Sequence, residues 1–119
     1  MKYSEPYFTG NLHTENKDER GWFIGAFLPT ESMLCTRDFE IKWAQHKKGE
    51  RRAEVARNNA RSMCVLIRGK QTLELPNLGK RYILEREGDY AFWDEGILHT
   101  WETLEDAVTF NIRWPSIPI

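Results

Sequence analysis

Apolar and polar residues alternate in short runs along most of the chain, with the period of two that belongs to strands and not the 3.6 of helices. Within DFEIKWAQH, Phe39, Ile41 and Trp43 alternate with Glu40 and Lys42, which reads as a half-buried strand with the aromatic and aliphatic residues inward. Beyond Gly69 the alternation recurs in QTLEL, RYILE, YAFW, LHTWETL and VTFNIRW. Turn-forming stretches separate these runs: PNLGK, REGD, DEGI and EDA. Upstream, GWFIGAFL is strand-like and PTES turns. The segment ERRAEVARNNARSM reads two ways. Its Ala, Arg and Glu content favours a helix. Read otherwise, RAEVAR is a strand, Asn58-Asn59 a turn and SMCVLIRG a second strand; the Val, Leu and Ile run ending at Gly69 favours this hairpin. Short strands at regular spacing predict an all-β sandwich or barrel. Residues 1–20 are polar and irregular and read as an N-terminal arm, leaving 21–119 as a single β-barrel domain.

At 119 residues the chain is one domain, long enough to bury a core without staples. A net charge of −1 gives no basic field, so nucleic acid is not an expected partner. Nor is a membrane: no stretch approaches the roughly 20 apolar residues of a span, and the N-terminus lacks the apolar core of a secretory signal. The expected location is cytoplasmic. Cys35 and Cys64 stand alone without a CxxC pair, which fits a reducing compartment. Five tryptophans are many for this length, and tryptophan lines cavities and interfaces as well as cores.

One motif carries more information. Gly88, Asp94, Gly96 and His99 are spaced G-x5-D-x-G-x2-H. This resembles the second conserved motif of the cupin superfamily, with Asp94 where that motif has proline. Gly49 and Gly69 match the glycines that open and close the first motif. The resemblance covers roughly residues 36–115 and is to small, single-domain bacterial cupins. It implies a double-stranded β-helix, a jelly-roll barrel with its site inside. It would place the family's metal-binding histidines at Val55 and Arg57 and its glutamate at Ser62, leaving His99 alone. Valine cannot coordinate, arginine repels a cation, and serine is a poor neutral ligand. No metal and no cofactor are therefore expected. His46, His13, Glu50 and Glu54 are the remaining donors that could rescue such a site. Nothing in the spacing puts His46 beside His99, and His46 reads as a strand-end surface or interface residue.

With this alignment, strand alternation points Ser62, Cys64 and Leu66 inward, along with His99, Trp101, Val55 and Arg57. On the last strand either Val108, Phe110 and Ile112 or Thr109, Asn111 and Arg113 face the cavity. The polar set is assigned to the site. The expected ligand-binding residues are thus Arg57, Ser62, Cys64, His99, Trp101, Asn111 and Arg113, with His99 the candidate catalytic acid or base. Cys64 near an arginine could be an activated thiol, though buried cysteines are usually core. Ser62 and His99 would make two members of a triad with no third placed. Arg51 and Arg52 read as a solvated face.

Three functions follow from this reading. The first is a metal-free cupin barrel that binds a small polar or anionic molecule as a sensor, carrier or sequestering protein. The second is a cupin enzyme, either a metal-dependent oxygenase or isomerase with atypical ligands or an acid–base catalyst using His99. The third is an interaction module with a closed cavity. A homodimer is expected in each case, because open edges and a strand such as GWFIGAFL are commonly covered by a second subunit.

Overall fold

The computed structural model describes residues 4–15, 20–52 and 54–116. Residues 1–3, 16–19, 53 and 117–119 lie outside that range. Six antiparallel strands form: β1 (Trp22–Ile24), β2 (Glu40–His46), β3 (Arg61–Leu75), β4 (Lys80–Leu84), β5 (Tyr90–Trp93) and β6 (Thr103–Trp114). Their order is β1-β2-β6-β3-β4, with β5 also paired to β3. The all-β expectation holds.

Two long strands build the molecule. The first half of β3 pairs with β6 on one side (Ser62↔Arg113, Cys64↔Asn111) and with β5 on the other (Ser62↔Trp93, Cys64↔Ala91). On the far side of β6, β2 continues the sheet through Glu40↔Arg113, Lys42↔Asn111 and Ala44↔Thr109. The second half of β3 turns away to pair with β4 (Gln71↔Leu84, Leu73↔Tyr82). Residues 99–103 then lie between residues 49–56 and the end of β3. Ala56 and His99 exchange backbone hydrogen bonds of 2.8 and 2.9 Å, and Glu74 and Thr100 do the same at 2.8 and 3.0 Å. This second layer closes the barrel over the inner face of the first. Leu66, Leu84 and Ala107 form its buried core, with Cys64 and Ala91 packed against them.

Four local expectations need correction. RAEVAR does not form a hairpin with SMCVLIRG; Arg51 bridges to Glu102 and Ala56 to His99 instead. SMCVLIRG and QTLEL are one strand, because Gly69 takes a φ of +95° and bends β3 where another residue would end it. A Cβ at Gly69 would run into the Asp106 carbonyl and Ala107. The turn expected at EDA is absent, and β6 runs through it. Further upstream, only Trp22–Ile24 of GWFIGAFL is strand, since the Gly25 N–H donates to the Leu34 carbonyl and folds the chain back.

The arm runs along β2. Trp43 Nε1 donates to His13 Nδ1 (3.4 Å) and Gln45 Nε2 to the His13 carbonyl (2.7 Å). Among the described residues no helix is long and apolar enough to cross a membrane.

Candidate functional site

Register and pleat together set the inner face of the first sheet. Side chains one pleat apart share a face, so the pairings stack in rows. The outermost row is Trp93, Ser62, Arg113, Glu40. The next is Ala91, Cys64, Asn111, Lys42, and Trp22 of β1 pairs with Lys42. Below it lie Leu66, Thr109 and Ala44. His99 and Trp101 approach from the closing layer. Of these, Trp93, Ser62, Arg113, Cys64, Asn111, Lys42, Trp22, Thr109, His99 and Trp101 border a cavity of about 120 Å³, which Arg52, His46, Gln71 and Thr72 also line. A cavity of this size suits a small molecule.

Six of the seven expected ligand-binding residues meet at this cavity: Ser62, Cys64, His99, Trp101, Asn111 and Arg113. The polar face of β6, with Thr109, Asn111 and Arg113, is the inner one. Arg57 is the exception. It is solvent-exposed and does not line the cavity, and Val55 is 48% exposed. The Ala56–His99 bridge is a single contact and not a continuous strand, so alternation from a neighbouring ladder does not govern residues 55 and 57. Arg52 supplies the guanidinium that Arg57 does not. His46 is corrected as well. It sits at the end of β2, but its side chain is only 13% exposed and lines the cavity, 4.5 Å from the Trp101 ring.

The charge of the wall is lopsided. Lys42, Arg52 and Arg113 line it, and among the described residues no aspartate or glutamate does. Arg113 lies over the Trp22 ring at 4.2 Å and Lys42 over the same ring at 5.5 Å, both cation–π distances. Behind Arg113, Glu40 Oε1 is 3.2 Å from Nε, but the two are not aligned for a hydrogen bond. Burial raises the Glu40 carboxyl despite the opposing pull of Arg113. Burial, reinforced by Arg20, Arg113 and Arg52, lowers the Lys42 amine to about 8.

Several buried polar atoms around this space have no protein partner: Ser62 Oγ, Trp93 Nε1, Arg113 Nε and Gln71 Oε1. The first three belong to one cross-strand row, and each carries a hydrogen to donate. Buried donors normally find acceptors, and leaving one unmade costs about 1–3 kcal/mol. Ser62 Oγ and Trp93 Nε1 are unmatched donors, while Arg113 Nε faces the Glu40 carboxylate at 3.2 Å.

The histidines are held neutral near pH 7. Burial lowers both imidazoles below their ordinary value, outweighing the Ile97 carbonyl at His99 and Glu50 at His46. His99 Nδ1 is 3.1 Å from the Ile97 carbonyl, which can only accept. The proton is therefore on Nδ1, and Nε2 is the acceptor. The thiol of Cys64 is pushed up to about 11 by burial, so it stays protonated, and the cation acting on it is Lys42 and not an arginine. The activated-nucleophile reading of Cys64 fails on this ground. Ser62 makes no hydrogen bond to His99, so no Ser–His pair forms. The residues also do not fit the metal centre of the family. Val55 and Arg57 point elsewhere, and among the described residues no three of His, Cys, Asp and Glu gather to hold an ion.

Lys42, Trp22, Trp93, Gln71, Arg52 and His46 were not foreseen as site residues. Lys42 carried a signal, since alternation puts it on one face with Ala44 and His46; that face was read as solvent and is the cavity wall.

No protein-family profile and no curated protein matches the chain. Many solved structures do. KdgF from Halomonas sp. is 18% identical with a TM-score of 0.61, covering 69% of this chain and 73% of its own. An RmlC-like cupin family protein with a double-stranded β-helix fold from Methanocaldococcus jannaschii is 17% identical with a TM-score of 0.60, covering 68% and 73%. An ethanolamine utilization protein from Salmonella typhimurium is 15% identical with a TM-score of 0.57; the match covers 67% of this chain but only 60% of that one. At these identities the likeness establishes the fold alone, that of the cupin-type double-stranded β-helix.

Proposed function

We propose that this small cupin-fold barrel binds a small anionic molecule in its cavity, as a sensor, carrier or sequestering protein. The observation that carries the reading is the wall itself: among the described residues Lys42, Arg52 and Arg113 line it and no carboxylate does, in a chain whose net charge is −1. Glu40 behind Arg113 offsets one of these charges and Arg52 is solvent-exposed, and an anion in the cavity would offset the positive excess that remains. The row of Trp93, Ser62 and Arg113 supports the same reading. A carboxylate or phosphate beside it would accept from Ser62 Oγ and Trp93 Nε1 and meet the positive charge of Arg113. Fold alone does not choose among the chemistries cupins host.

A second reading rests on His99. Its fixed tautomer leaves Nε2 as a proton acceptor beside the cavity, the arrangement of a general base, so catalysis on the bound anion is compatible with the site. The partner in solution is read as a second copy of the chain.

Thermal unfolding with acetate, pyruvate and phosphate tests the binding reading. A ligand at a hundred times its Kd stabilises by about 2.7 kcal/mol, a clear rise in Tm. Arg113→Gln removes a charged donor worth about 1.5–3 kcal/mol, so affinity should fall roughly ten- to a hundredfold. Equal Tm with and without every anion, or unchanged affinity in the variant, would count against this site.

A further inference from the structure

We propose that Lys42 is a reactive amine, and that it forms an imine with a small 2-oxo acid held in the barrel cavity. This rests on the anion-binding reading and goes beyond it by naming the ligand class and a covalent step.

The argument is one of placement. Lys42 faces the cavity from β2, in the row next to the one that holds Arg113. Adjacent rows on one face are about 7 Å apart along a strand, within the span of a lysine side chain. A carboxylate cradled by Trp93, Ser62 and Arg113 would leave the carbonyl carbon of a 2-oxo acid one bond further in, toward Lys42. The cavity can take a molecule of this size.

The surroundings of Lys42 are those that keep an amine nucleophilic. No carboxylate pairs with it among the described residues; its close neighbour is the face of Trp22. The charged and titratable groups that act on it are Arg113 of β6, Arg52 of the closing layer, Arg20 ahead of β1 and the thiol of Cys64 on β3. His46, at the far end of the same strand, is neutral near pH 7. Three of these are cations, and crowding by cations in a desolvated pocket is one of the general ways a lysine is activated for imine formation. With its amine lowered to about 8, about a tenth of Lys42 is uncharged at pH 7, roughly two hundred times the fraction of an ordinary surface lysine.

The step balances without an outside reagent. One ammonium proton first passes to solvent; the freed nitrogen lone pair attacks the carbonyl carbon, the carbonyl oxygen takes one proton from that nitrogen and one back from solvent and leaves as water, and a C=N bond replaces C=O. Ammonium plus carbonyl becomes iminium plus water, with the positive charge kept next to the cradled carboxylate.

Reductive trapping tests it. The full chain is incubated with pyruvate and cyanoborohydride at pH 7, and the product is followed by intact mass and peptide mapping. One adduct per chain is expected, heavier by pyruvic acid less one oxygen atom, on Lys42 and in large excess over Lys47, Lys48 and Lys80. Lys42→Arg keeps the positive charge and should lose the adduct; Lys42→Met is the second variant should the first unfold. Pyruvate binding is measured separately by ligand-observed NMR without the reductant. Binding without a Lys42 adduct overturns the imine and leaves the anion site standing. Absence of binding as well as adduct overturns both. Adduct spread evenly over the surface lysines overturns the imine too.

Discussion

Lys42 shows at a single residue why the site was only partly legible. Within FEIKWAQH the apolar residues alternate with polar ones, and periodicity identifies the two faces without saying which is inside. Burial of the apolar face is the ordinary outcome, so Lys42 read as solvent-exposed. In a closed barrel with a cavity the polar face can be the interior, and Ala44, 2% exposed on the same face as Lys42, marks it as such. Ser62, Cys64, His99 and Trp101 line the cavity, and their inward orientation was legible because glycine spacing fixed their register independently of polarity. The cost of that buried cation makes a prediction. The Lys42 amine titrates near 8 in the fold and near 10.5 when unfolded. Between those values the unfolded chain binds more protons than the native one, so stability rises with pH across the window. Below it the full penalty stands. Lys42→Met should therefore be more stable than the parent at pH 7, by about 1–3 kcal/mol, and the gap should shrink as pH rises toward 10. Urea unfolding at the two pH values checks this. Equal stabilities at both would mean that the fold carries the charge at no cost.

At the scale of elements, the strands were legible wherever alternation and turn residues agreed, as in β2, β4 and β5. The failures cluster where one strand serves two layers. Gly69 reads as a terminator because glycine usually punctuates strands, yet β3 passes through it from β6 and β5 to β4. The bend is what lets a single strand belong to both walls of the cavity. It brings Ser62 and Gln71 from opposite ends of β3 to one space. Gly69→Ala meets both a φ of +95° and backbone collision with Asp106 and Ala107. It should cost about 2–4 kcal/mol, the range of strained backbone plus overpacking. Gly49 has a similar φ of +93° but open space around a Cβ. Gly49→Ala should cost only about 1 kcal/mol. Chemical denaturation of the pair separates the effects. Similar losses in both would show that dihedral strain, and not the close approach of β6, is what Gly69 relieves.

For the whole molecule, the same register that fills the cavity leaves a face of opposite character on the outside of the first sheet. Trp43, Phe110, Val65 and Tyr90 form one row across four strands, and Ile41, Ile112, Met63 and Phe92 form the next. Tyr90 is 64% and Phe92 45% exposed, and Phe92 stacks on Trp114 at 6.0 Å. The other six are partly buried, so the exposed apolar surface of this face centres on Tyr90 and Phe92 of β5. The occupant argued here is a second copy of the chain. A sheet face with two parallel apolar rows is self-complementary under a twofold axis, and a net charge of −1 gives two copies little reason to repel. Phe92→Asp places a carboxylate in the middle of that contact, where an unpaired charge is costly to bury. The parent chain should run as a dimer in sedimentation velocity and the variant as a monomer. Because Phe92 does not line the cavity, the variant should keep its circular dichroism spectrum and its affinity for the anion. A monomeric parent would leave the apolar rows without the partner argued for them. A monomeric variant that also loses anion binding would mean that the second copy completes the cavity, and that each barrel works only as half of a pair.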